Sequence, residues 1–115
     1  MLDQWKKKIR HAHEPNNPAL LSLWLSFEEN QCQDFQQKEQ WQHYLNMVHF
    51  LLDTYSDTMN PDYWRSTCLD HISRPLCGLQ RLAKTDQQQK QFKELMLEIN
   101  ILSHYFSPSF IKEQL

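Results

Sequence analysis

The sequence predicts an all-α protein, a single-domain bundle of about five helices with short connections that spans residues 1–115. Three observations support this fold class. Apolar residues recur at helical spacing through the stretch 41–55, which indicates a long helix with a wide apolar stripe. The chain contains one glycine, Gly78, where average usage is about 7% and tight β-hairpins need residues that accept positive φ. Asparagine–proline pairs punctuate the chain and are typical of helix starts.

The apolar stripe of the stretch 41–55 is the feature on which the remaining segments are expected to pack. A single helix cannot bury such a stripe by itself, so the other helices must cover it. Its apolar members are Trp41, Tyr44, Leu45, Val48, Leu51, Leu52 and Tyr55.

Capping residues predict where three of the helices begin. Asn17 followed by Pro18 matches an N-cap with proline at the first helical position, and Asn60 followed by Pro61 repeats this pattern. Asp34 is the candidate cap of the long helix that carries the apolar stripe. The second, third and fourth helices are therefore expected to start at these positions.

The remaining elements are a short first helix, a break in the middle of the chain and a long last helix. Residues 2–12 have apolar side chains on one side and basic residues around the rest. Pro75 is expected to kink or end the fourth helix, because proline lacks the backbone donor and clashes one turn back. Thr85 and Gln88 match a capping box, which predicts a last helix over about 86–106.

Charge and cysteine content predict a cytoplasmic protein. The formal net charge is −2 and the isoelectric point is about 6.3, so there is no overall basic surface for nucleic acid. We find no apolar leader segment and no stretch long enough to span a membrane. An odd number of cysteines favours reduced thiols over a disulfide framework; they are Cys32, Cys68 and Cys77.

Several enzyme classes are excluded by motif. A chain with one glycine cannot contain a dinucleotide-binding GxGxxG motif, a P-loop or a GxSxG nucleophile elbow, and no HExxH zinc motif is present. The neighbouring carboxylates, such as Glu28 and Glu29, are interpreted as solvated surface groups, since a catalytic acid needs a desolvated site. We therefore predict a non-enzymatic protein without a cofactor.

The one local cluster that could carry chemistry contains Cys68 and His71. Their spacing on a helix would allow one zinc ion to bind, with His104 as a distant further ligand, or a thiol–imidazole pair to form. The paired CxxC spacing of structural zinc sites is absent, and no oxyanion loop is evident. The favoured interpretation is a small buried cysteine beside a histidine at the core edge, although metal binding stays open.

Nucleic-acid binding is the alternative function. The segments 60–74 and 76–84 resemble a helix-turn-helix in their order, with Arg65, Arg74, Arg81 and Lys84 as candidate phosphate contacts. The slightly negative net charge opposes such binding, which depends on neutralising several phosphates.

Protein docking is the favoured function. Leu97, Ile101 and Tyr105 form a second stripe on the last helix, opposite its main one, and Phe50 and Trp5 are secondary apolar anchors. Either these helices are enclosed on both sides or the stripes face a partner. We therefore expect a small adaptor, regulator or inhibitor that docks a helix face onto another protein or onto a second copy of itself as a homodimer.

Overall fold

The computed structural model describes residues 2–106, and all regular secondary structure in this range is helical. A single residue, Ile72, separates the fourth and fifth helices, so the predicted all-α bundle of about five helices is confirmed. The helices are α1 (Leu2–Arg10), α2 (Ala19–Cys32), α3 (Gln37–Ser56), α4 (Asp62–His71), α5 (Ser73–Leu82) and α6 (Asp86–Phe106).

Helix α3 lies at the centre of the bundle and packs against each of the other five helices. The predicted stripe forms its inner face: Val48 and Leu51 are completely buried, and Tyr55 is 1% exposed. One contiguous hydrophobic core joins these side chains to residues of every other helix. The sequence pattern therefore identified the helix around which the fold is organised.

The opposite face of α3 is also covered, by α1 and α2. Met47 is buried, and the half-buried ring of Phe50 packs against Trp24 with ring centroids 4.9 Å apart. The ammonium group of Lys6 lies 5.1 Å from the Phe50 ring centroid, a cation–π geometry. Thus α3 is buried on two sides.

Side chains cap only one of the predicted helix starts. At α6 the Thr85 hydroxyl accepts from the Gln88 amide at 3.0 Å, and the Gln88 side chain accepts from the Thr85 amide at 3.3 Å, which confirms the capping box. The prediction for Asp34 was wrong, because α3 begins at Gln37 and Asp34 lies in the preceding turn. No side chain caps α2, although Pro18 has helical dihedral angles.

Asn60 connects three helices instead of capping α4. Its buried side-chain amide donates to the carbonyl oxygens of Arg10 and Thr54, both at 3.0 Å. Close by, the Trp64 indole donates to the Ile9 carbonyl at 2.8 Å. These bonds join the chain around α4 to backbone acceptors at the ends of α1 and α3, where carbonyl groups lack donors from within the helix.

As expected from Pro75, the fourth helix ends one turn before the proline, and Ile72 separates α4 from α5. Pro75 lies in the first turn of α5, where a missing backbone donor costs little. One turn later, the buried Gly78 lies against the ring of Tyr44 from α3. A Cβ atom at position 78 would lie 2.5 Å from Tyr44 Cζ, so the glycine allows α5 to approach α3 closely.

The bundle is flat, with principal extents of 41 × 36 × 16 Å for its Cα atoms. Two layers of helices whose axes lie about 8–10 Å apart span about 13–15 Å between their outermost Cα atoms, so the thin dimension holds two layers. Helix α3 is buried on two sides in this arrangement and exposes a third side that carries Gln42, His49 and Asp53. Helix α6 packs only at the edge, mainly against α3 and α5. The flat shape leaves one side of α6 facing outwards.

We expect Gly78→Ala to lower the free energy of unfolding by about 1–3 kcal/mol, because the added methyl group overpacks the contact with Tyr44. In a Tyr44→Ala background the same substitution should be neutral or stabilising by up to about 1 kcal/mol, since alanine favours helix over glycine. Urea unfolding of the wild type, the two single variants and the double variant measures the effect of Gly78→Ala on the free energy of unfolding in both backgrounds. An equal cost in the two backgrounds would show that the Tyr44 ring is not the obstacle.

Candidate functional site

The inner side of α6 attaches the helix to the bundle. Leu95 is buried at 5% exposure, and three further apolar side chains, Phe92, Ile99 and Leu102, are half-buried against the core. Asp86 in the first turn suits the positive end of the helix dipole. The apolar side chains recur at intervals of three and four residues, so they share one side of the helix and leave the opposite side free.

The outer side of α6 carries the docking face, which we define as Leu97, Ile101 and Tyr105. These side chains are 60%, 58% and 79% exposed, and Met96 beside them is 39% exposed. Seven large hydrophobic side chains are exposed within residues 2–106, and four of them, the docking face and Met96, lie on α6. Of the two placements that the sequence allowed for this stripe, the structure has the exposed one.

Polar and charged residues surround the docking face. Lys93, Glu94, Glu98 and His104 are all exposed on the same side of α6, and none of them forms an ion pair with another described residue. An apolar centre with a charged rim is the usual composition of a protein–protein interface.

The C-terminal end of α6 is fixed by a buried arginine. Arg65 of α4 is 5% exposed; its Nε donates to the Tyr55 carbonyl at 2.6 Å and its Nη2 to the Phe106 carbonyl at 3.0 Å. The Tyr55 hydroxyl donates to the Ser103 carbonyl at 3.2 Å, and burial raises the pKa of this hydroxyl. Two carbonyls of the last turn of α6 are thereby satisfied, which holds the docking face in place.

The two secondary anchors are engaged within the chain. Phe50 packs on Trp24, as described above, and the half-buried Trp5 makes an edge-to-face contact with Phe27 at 5.7 Å between ring centroids. Neither residue lies on α6. Both rings are partly exposed, and both lie apart from the docking face.

The four basic residues considered as phosphate contacts differ in exposure and in hydrogen bonding. Arg65 is buried and committed to the carbonyls described above, and Arg74 makes two hydrogen bonds of 3.1 Å to the carboxylate of Glu29. Arg81 and Lys84 are exposed. Two of the four guanidinium or ammonium groups are therefore occupied by acceptors of this chain.

The environment of Cys68 suits a buried apolar residue. Cys68 is completely buried, and desolvation raises its pKa to about 12, which keeps the thiol protonated at neutral pH. The Nδ1 atom of His71 lies 2.7 Å from the Thr67 carbonyl oxygen one turn back. Across residues 2–106, no group of three or more His, Cys, Asp or Glu side chains is arranged to hold a metal ion.

A cleft of about 630 Å³ opens between α2, α3 and α5. Its walls include Cys32, Tyr44 and Arg81, together with the ion pair of Arg74 and Glu29. Burial raises the pKa of both the Cys32 thiol and the Tyr44 hydroxyl, so neither group is activated as a nucleophile or base at neutral pH.

The interpretation of Glu28 as a solvated carboxylate was wrong. Glu28 is 5% exposed; its Oε1 accepts from the Trp24 indole at 3.2 Å, and its Oε2 lies 2.7 Å from His43 Nε2, a close contact that is poorly aligned for a hydrogen bond. The i, i+4 spacing of Trp24 and Glu28 was visible in the sequence. The approach of His43 from α3 was not, because it depends on tertiary packing.

We expect Arg65→Met to lower the free energy of unfolding by about 2–4 kcal/mol, because it removes the donors that Arg65 supplies to the carbonyls of Tyr55 and Phe106. Amide hydrogen exchange should accelerate most in the last turn of α6. The control is Arg74→Met, which removes a half-exposed ion pair and should cost less than about 1 kcal/mol. Equal losses in the two variants would contradict the role assigned to Arg65.

None of the helices in the described part of the chain is long and apolar enough to cross a membrane. No protein-family model, curated protein or solved structure matches this chain. The surface chemistry of the protein itself is therefore the guide to its function.

Proposed function

We propose that this protein is a small non-catalytic adaptor, regulator or inhibitor that binds another protein chain through the docking face of α6. The observation that carries the proposal is the concentration of exposed apolar side chains there, on a helix whose opposite side is fixed to the core. A helix that presents anchors one turn apart suits the helix-in-groove mode of recognition.

We place this activity in the cytoplasm. All three cysteines are free, and Cys32 and Cys68 are buried. Free thiols are typical of proteins in a reducing compartment.

The energetics limit what kind of partner can bind. Complete burial of a leucine or isoleucine side chain contributes about 1.5–3 kcal/mol, and Leu97 and Ile101 are already about 40% covered. Association costs about 4–15 kcal/mol in lost translational and rotational freedom. The three anchors alone are therefore too few, and the partner must also contact the charged rim to reach a stable interface of about 1,000 Å² or more.

We expect Ile101→Glu to weaken partner binding at least about tenfold, because it places a charge in the centre of the apolar contact. The partner is first identified by co-purification from the native cell and then purified. Its affinity for the wild-type protein and the variant is measured by calorimetry. Helical circular dichroism should be unchanged, since Ile101 is exposed.

Leu23→Glu provides a matched control, because Leu23 on α2 is also 58% exposed. This variant should bind the partner within about twofold of the wild-type protein, since a solvated substitution away from the contact changes little. Equal weakening by both substitutions, or wild-type affinity in Ile101→Glu, would refute the proposed role of the docking face. A wild-type protein that neither binds a partner nor associates with itself would also refute it.

A further inference from the structure

We infer that the docking face binds a second copy of this chain, with the two α6 helices antiparallel and Leu97 of each copy packed against Ile101 of the other. This inference rests on the proposed docking role of α6 and specifies the partner. The observations that carry it are the exposed spacing along α6 and the order of its charges.

Four residues form the outer seam, which we define as Glu94, Leu97, Ile101 and His104. All four are exposed, and their 3–4–3 spacing is that of the a and d positions of a coiled coil. Leu95 and Ile99, which attach α6 to the core, lie on the other side of the helix. A second helix can therefore pack along the seam without disturbing the bundle.

The order of the seam residues is complementary to itself when reversed. In an antiparallel pair centred at Ile99, each a position faces a d position of the other copy, so Leu97 meets Ile101 and Glu94 meets His104, each twice. Two apolar layers then lie between two layers that join a carboxylate to an imidazole. A carboxylate accepts a hydrogen bond from either form of the imidazole and attracts its cation.

Other arrangements of the same seam are less favourable. In a parallel pair, Glu94 would face Glu94 of the second copy and His104 would face His104 of the second copy, so the contacts between carboxylate and imidazole would be lost. The neighbouring antiparallel registers, shifted by one heptad, would place Leu97 opposite Glu94 or Ile101 opposite His104. Each shifted register buries a polar group against an apolar side chain, which is unfavourable. The order of charges along the seam therefore favours one orientation and one register.

Glu98 is the one unfavourable contact in this arrangement. It flanks the seam near the twofold axis, where it approaches Glu98 of the second copy. Both carboxylates are exposed, and like charges in water repel only weakly. The seam is also short, about 15 Å from Glu94 to His104 at 1.5 Å per residue. We therefore expect a weak, reversible dimer, because small interfaces are typical of transient complexes.

A charge-exchange experiment tests the pairing. Sedimentation velocity of the full chain between about 10 and 500 µM should show monomer converting to dimer, the range being set by the expected affinity. His104→Glu, which sets two carboxylates against each other in both end layers, should raise the dissociation constant about tenfold or more. Combining it with Glu94→Lys restores opposite charges and should return the constant to within about threefold of the wild type.

Asp53→Lys is the charge control, because Asp53 is exposed on α3 and changes the net charge as Glu94→Lys does. It should leave the dissociation constant within about twofold of the wild-type value. A double variant as weak as His104→Glu alone, or a monomer throughout the concentration range, would overturn the inference. Dimerisation seen only in a chain that ends at Phe106 would overturn it too, since residues 107–115 would then be the occupant of the face.

The two proposals fail in distinguishable ways. A wild-type monomer whose binding to a different protein is lost in Ile101→Glu, but kept in Leu23→Glu, contradicts self-pairing and leaves the docking role intact. A wild-type dimer that Ile101→Glu does not dissociate, together with a partner that binds Ile101→Glu as tightly as the wild type, contradicts both.

Discussion

The burial of α3 on two sides is the constraint on which the rest of this structure depends. Its stripe around Val48 and Leu51 requires partners from α4 and α5, and its other face, with Met47 and Phe50, requires α1 and α2. A flat bundle in which α3 lies between these two pairs of helices satisfies both requirements. The same geometry leaves α6 at the edge, with one side in the core and one side outside, and from this the proposed function follows.

Polar contacts then fix the position of α6. Arg65 joins the end of α3 to the last turn of α6, and Asn60 joins the ends of α1 and α3. Each of these buried side chains satisfies backbone carbonyls that have no intrahelical partner. A helix held at both its inner face and its C-terminal turn loses little further freedom on binding, which favours its use as a docking element.

Features that depend on neighbouring residues could be predicted from the sequence, whereas contacts between distant segments could not. The stripe on α3, the break near Pro75 and the box of Thr85 and Gln88 depend on neighbouring residues, and the structure has all of them. Asn60 matched a capping pattern but bonds to Arg10, 50 positions away. Periodicity likewise gave the outer stripe of α6, whereas its exposure depends on the flat shape of the bundle, which no local pattern encodes.

We propose that this chain makes its intermolecular contacts through the outer side of α6. The most direct measurement is a residue-by-residue map of amide chemical shifts, recorded on dilute protein, on concentrated protein and with the purified partner. We expect the shifts to change along residues 94–105 and to stay constant around Leu23, Met59 and Tyr63, the other exposed large apolar side chains within residues 2–106. Changes centred on those three residues, with α6 unaffected, would contradict it.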